Sequence, residues 1–139
     1  MPRFTRKGAK LQKGALDLPG PTGESNRLHV APRGTLLCLG PGEADVAAQK
    51  VMAEAASCRA EAARLDAGRL ATGSGFDAVA WFGDAAGLKE IRVALSRRAG
   101  ALLPILAGPE EIGRLQVERH VCIDTTAAGG NASLMASTA

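Results

Sequence analysis

His120 and Cys122 have the side-chain types and the spacing for nucleophilic chemistry. Two residues apart on a strand, they point to the same side, where an imidazole can draw the proton from a thiol. Cys58 is the other candidate nucleophile, with no base near it in the chain. Against this, Cys38 and Cys122 sit among Leu, Val and Ile, where a thiol behaves as a small buried hydrophobe. His29 and His120 are the only histidines and are too few for a metal cluster. Three cysteines at wide spacing, with no C-x-x-C pair, argue for reduced thiols rather than a disulfide framework or a zinc site. No catalytic, cofactor-binding or metal residue is assigned.

A second constellation is Gly40-Pro41-Gly42, between an apolar run and a helical pattern. A glycine turn between a strand and a helix can present backbone N–H groups to a phosphate, so a free-standing α/β domain binding a nucleotide or phosphate at Gly40–Gly42 is the alternative function. The third glycine of the dinucleotide fingerprint is replaced by Asp45, and about twenty residues on the helical pattern is still running where a ribose-binding acid is expected. Gly20-Pro-Thr-Gly-Glu24 lacks the lysine of a phosphate-binding loop.

The elements that position these groups follow from periodicity. Thr35–Leu39 is a short apolar run between Gly34 and Gly40, the form of a strand buried on both faces. A helix is predicted next, with Glu43 and Asp45 in its first turn and an apolar stripe of Ala48, Val51, Ala55, Cys58, Ala62 and Leu65, ending at Gly68. Ala78–Phe82 is a second strand, and Gly83-Asp84 caps a helix from about Ala85 to Arg98. Leu102–Leu106 is a third strand, placed at an edge or bulge by Pro104. Pro109–Leu115 reads as a short helix, with Glu110 and Glu111 marking its start. Val121 to Thr126 is a final strand, and Gly129, Gly130 and Asn131 let the chain turn back through Leu134 and Met135. This alternation predicts an α/β doubly wound parallel sheet closed by a C-terminal β-hairpin.

Composition sets the class. The 139 residues carry a net charge of +3, with 46% apolar and only 3% aromatic side chains, so one core is built mainly of Ala, Leu, Val and Ile. No apolar stretch is long enough to span a membrane and no signal-peptide pattern opens the chain, so a cytoplasmic protein is expected. Residues 1–15 hold five cations and no acid and read as a flexible basic arm; with no aromatic interleaving or recognition fold, nucleic acid is not the expected partner. Leu18 to Asn26 is a turn-rich lead-in.

Beyond these readings, the run from Val117 to Met135 closely resembles the conserved C-terminal motif of proline utilization A, the bacterial bifunctional proline dehydrogenase and L-glutamate-γ-semialdehyde dehydrogenase. Leu18-Pro-Gly-Pro-Thr-Gly-Glu24, Pro32-Arg33, Leu36-Leu-Cys38, Phe76-Asp-Ala-Val79 and Gly83-Asp84 resemble earlier parts of that family's C-terminal domain, in the same order. The resemblance implies a small Rossmann-like domain of the aldehyde-dehydrogenase type over residues 16–120, with no cofactor of its own, and a flap over 121–139. The resemblance further implies that this flap covers the tunnel carrying the intermediate between the two active sites. In the resembled family FAD and NAD belong to catalytic domains upstream of this region, and such domains, in the same or a separate chain, are the partners the resemblance implies. The implied flap and interdomain contacts are Val121, Ile123, Thr125, Thr126, Gly129, Gly130, Asn131, Leu134 and Met135. Asp124 stands where the motif usually has Asn, and Thr126 where Ala is usual. The family carries a further strand and helix before Phe76 that the pattern here does not show, so the sheet is expected to be a strand short.

Overall fold

The computed structural model describes residues 14–124. They fall into two compact units, Pro32–Val117 and a smaller one formed by residues 14–31 with 118–124.

The larger unit is built on a four-stranded parallel sheet of β3 (Thr35–Cys38), β4 (Arg59–Ala62), β5 (Ala78–Ala80) and β6 (Ile105–Leu106), in the spatial order β4-β3-β5-β6. Every residue of β3 and β5 is buried, as expected of strands covered on both faces. One face carries Leu36, Cys38, Ala78, Ala80 and Leu106 against Met52, Ala53 and Ala56 from the end of helix α1 (Glu43–Ala55) and against Leu115. The other carries Leu37, Val79 and Trp81 against Leu70 of α2 (Ala67–Thr72) and Ile91, Ala94 and Leu95 of α3 (Ala85–Ser96). Complete burial of Leu36, Leu37 and Ile91 gives each about 2–3 kcal/mol of transfer free energy.

Asp84 caps α3 by accepting the Gly87 N–H at 2.9 Å, as its position before the helix leads one to expect. Gly87 is required for packing. A Cβ there would lie 2.3 Å from the Trp81 ring, whose N–H donates to the Asp84 carbonyl at 3.0 Å. Arg98 fastens α2 to the end of α3. Its Nη1 donates to the carbonyls of Leu70 at 2.8 Å and Gly73 at 2.7 Å, and its guanidinium lies 4.8 Å from the centre of the Phe76 ring.

Three expectations are corrected here. The sheet is not a strand short. The helix predicted to run to Gly68 stops at Ala55, Ser57 turns at φ +58, and β4 and α2 follow. Arg59-Ala-Glu-Ala62 shows no apolar alternation because every side chain of this edge strand is exposed, and the backbone ladder with β3 holds it. The stripe of α1 is also different: Gln49, Met52 and Ala53 are buried, whereas Val51 is 65% exposed. In a helix so rich in alanine, the small side chains do not mark one face. Third, the strand expected from Leu102 is reduced to Ile105–Leu106, with Leu102 at 92% exposure. The edge position inferred from Pro104 agrees with β6 lying last in the sheet. Pro109–Leu115 is a short helix of the 3-10 type.

The smaller unit holds an antiparallel pair, β1 (Gly14–Leu18) and β2 (Glu24–Pro32), in register from Gly14 opposite Val30 to Leu18 opposite Asn26. A third strand, β7 (Gln116–Asp124), completes the order β1-β2-β7. Gly14 and Ala15, read with the basic arm, open β1, and most of the stretch read as a turn-rich lead-in is the loop and start of this hairpin. β7 begins five residues before the predicted Val121. The rest of the arm, and the return strand expected after Gly129-Gly130, lie outside the described residues.

Candidate functional site

The glycine turn sits at the carboxyl end of β3, where ligands of open α/β sheets bind. Gly40 has φ +88, and a Cβ on it would meet the Gly42 nitrogen at 3.0 Å, so the turn requires glycine there. Its polar groups are already engaged. Gln49, fully buried, accepts the Gly40 N–H at 3.1 Å through Oε1 and donates through Nε2 to the Gly40 carbonyl at 2.9 Å. That carbonyl also accepts the Phe82 N–H at 2.9 Å. Asp45 accepts the Gly42 N–H at 3.1 Å, its carboxylate occupying the N-terminal end of α1 as an anion would. A phosphate entering here would have to displace one carboxylate and face its charge. The sequence shows Asp45 as a missing glycine; only the coordinates show that its side chain takes the amide, and nothing in the sequence singles out Gln49.

Beside the turn, a cleft of about 650 Å³ opens between α1 and the residues following β4, with Leu39, Val46, Ala63, Leu65 and Trp81 in its lining and Glu43, Lys50 and Arg64 as its charged groups. The acid expected near the end of this strand is Glu61, inside β4, and its carboxylate is paired with Arg69. Arg64, beyond the strand end, holds the corresponding place at the cleft. Sequence reasoning missed this cleft because α1 was extended through its far wall.

The thiol–imidazole pair resolves differently. His120 Nε2 lies 3.0 Å from Asn26 Oδ1. Cys122 is exposed, against the expectation of a buried thiol, because the final strand is exposed along almost its whole length. Desolvation by its neighbours, then the hydrogen bond and charge of Glu24 and the charge of Asp124, push its thiol above the ordinary value, which disfavours the thiolate a nucleophile needs. Cys38 is buried and likewise raised by desolvation, with Lys50 partly opposing. Cys58 is buried, with Sγ 3.4 Å from the Leu115 carbonyl. Among the described residues no group of three His, Cys, Asp or Glu side chains could hold a metal ion, and no helix is long and apolar enough to cross a membrane. Of the implied flap contacts, Val121 and Ile123 are 36% and 57% exposed on β7; Thr125, Thr126, Gly129, Gly130, Asn131, Leu134 and Met135 lie outside the described residues.

No protein-family model matches the chain. It is similar to the bifunctional protein PutA of Salmonella typhimurium, 36% identical over 143 aligned positions that cover 85% of this chain and 11% of that one. It is also similar to PutA of Escherichia coli, 32% identical over 94% of this chain and 12% of the relative, and to that of Klebsiella aerogenes, 30% identical over 81% and 10%. Among solved structures, a mutant of Bradyrhizobium japonicum proline utilization A superposes with a TM-score of 0.45 at 21% identity, covering 70% of this chain and 14% of the other. The chain spans about a tenth of the length of the curated relatives it matches. By sequence it matches a C-terminal domain of the bifunctional PutA proteins.

Proposed function

We propose that this chain serves as the non-catalytic C-terminal module of a bifunctional proline dehydrogenase and L-glutamate-γ-semialdehyde dehydrogenase. In this reading the parallel unit Pro32–Val117, within the 16–120 expected from the sequence, is a Rossmann-like scaffold, and 121–139 form a β-hairpin flap over the tunnel that passes the intermediate between active sites. The module works in the cytoplasm against catalytic domains, in the same or a separate chain, which hold FAD and NAD.

The observation that carries the non-catalytic part is the glycine turn: Asp45 and Gln49 hold the Gly42 and Gly40 amides that a cofactor pyrophosphate would require. The covering role draws support from the exposed apolar side chains Val117, Val121 and Ile123 along β7, which belong to the first part of the motif. Exposed apolar side chains in one strand suit burial against a partner.

The experiment joins the chain to its catalytic domains and replaces Gly129 and Gly130 by Val, since a β-branched residue is strained at positive φ. Proline oxidation should stay largely unchanged while coupled formation of glutamate shows a lag and free pyrroline-5-carboxylate escapes. Undisturbed coupling would defeat the flap reading, and a micromolar dissociation constant for NAD on the chain alone would defeat the non-catalytic one.

A further inference from the structure

The cleft beside the sealed turn has a chemistry of its own. Its volume, about 650 Å³, is that of small-molecule sites, and it lies at the carboxyl ends of β3 and β4. The lining is mostly aliphatic. Lys50 and Arg64 bring two cations to it against the single carboxylate of Glu43, and neither forms an ion pair among the described residues. By contrast Arg27, Arg69 and Arg114 are each paired with an acid. Glu43 and Lys50 stand seven residues apart on α1, about 10 Å along the axis, so the cleft is negative near the turn and positive at its far side. With Asp45 on the Gly42 amide, the turn itself repels anions.

We propose that this cleft binds a small organic anion with an apolar body, a carboxylate carried on a ring or short hydrocarbon. The body rests on Leu39, Val46, Ala63 and Leu65, and the carboxylate reaches Lys50 and Arg64. This goes beyond the module reading and does not depend on it, because no residue of the flap or of β7 takes part.

The test titrates 2-naphthoate, with neutral 2-naphthol as its uncharged counterpart, into the full ¹⁵N-labelled chain. Saturable amide shifts should be confined to residues 39–50, 63–65 and 81, and naphthol should bind about tenfold more weakly. Lys50→Ala and Arg64→Ala, both at exposed positions, should each weaken naphthoate about fivefold, the loss for one charge-assisted contact on a solvated rim, and the spectra of the variants show directly that they remain folded. Asp45→Asn should leave naphthoate affinity unchanged. Equal affinity for naphthol, indifference to both cation variants, shifts centred elsewhere, or a several-fold gain from Asp45→Asn would each overturn the proposal, the last by moving the anion to the turn. Absence of saturation at a few millimolar, an affinity of about 4 kcal/mol or less, would overturn it as well.

Discussion

Gln49 shows how one residue can close a ligand site. Its amide matches the donor and acceptor of Gly40 in a fully buried position, so truncation leaves both without a partner. Gln49→Ala should therefore lower unfolding free energy by about 1–3 kcal/mol, read from urea denaturation, whereas Lys50→Ala next to it should cost under about 0.5 kcal/mol. The thiols give a pH-dependent counterpart. With Cys38 raised by desolvation, the unfolded chain ionises first as pH climbs past about 8.5, so the folded state binds more protons there and stability falls with rising pH. Cys38→Ala should flatten that part of the profile. Of the three cysteines only Cys122 is exposed; Ellman's reagent should label it alone in the native chain, slowly below pH 9, and label all three after unfolding.

At the scale of elements, the weak joint is the turn between α1 and β4. Ser57 adopts φ +58, a conformation that costs an ordinary residue about 1 kcal/mol or more, so Ser57→Gly should raise the urea midpoint with an unchanged m-value, a gain of up to about 1 kcal/mol. The same joint explains what the sequence concealed. Ala, Arg and Glu on both sides of Ser57 are good helix formers, and a strand with four exposed side chains offers no period of two. The elements that were legible carry redundant signals: β3 is a buried apolar run between glycines, and α3 has an Asp cap, a stripe at helical spacing and a glycine beyond its end. Gly14 and Ala15 read as arm and Leu18–Asn26 as turn because prolines and glycines dominate there, while alternation in the strands themselves rests on few apolar side chains such as Leu16, Leu28 and Val30. The cleft was illegible for a different reason. Lys50 and Arg64 are ordinary surface charges until β4 brings them to one opening.

On the scale of the whole molecule, the parallel unit and the antiparallel one differ in how much they bury. β3 is covered throughout, whereas eight of the nine residues of β7 are exposed. Amide hydrogen exchange on the isolated chain should find the amides of β7 opening well before those of β3, by at least about tenfold in protection. Adding the catalytic domains should slow β7 selectively; equal protection of the two strands in the isolated chain would contradict this difference in local stability. The layered order of strand and helix was visible in the sequence because burial on two faces leaves unbroken apolar runs. The second unit was not, because its residues come from both ends of the chain and pair across about ninety intervening positions, beyond the reach of any local pattern.

Trp81 has an optical consequence. The chain contains one tryptophan and no tyrosine, and that indole is 8% exposed, with its N–H tied to Asp84 and Gly83 and Gly87 close beneath it. Excited at 295 nm, the protein has a single emitter, blue-shifted and of high anisotropy, located wholly in the parallel unit. Its red shift on denaturation therefore follows the melting of that unit, while far-ultraviolet circular dichroism follows both, so a gap between the two curves is itself a measure of how independently the antiparallel sheet comes apart.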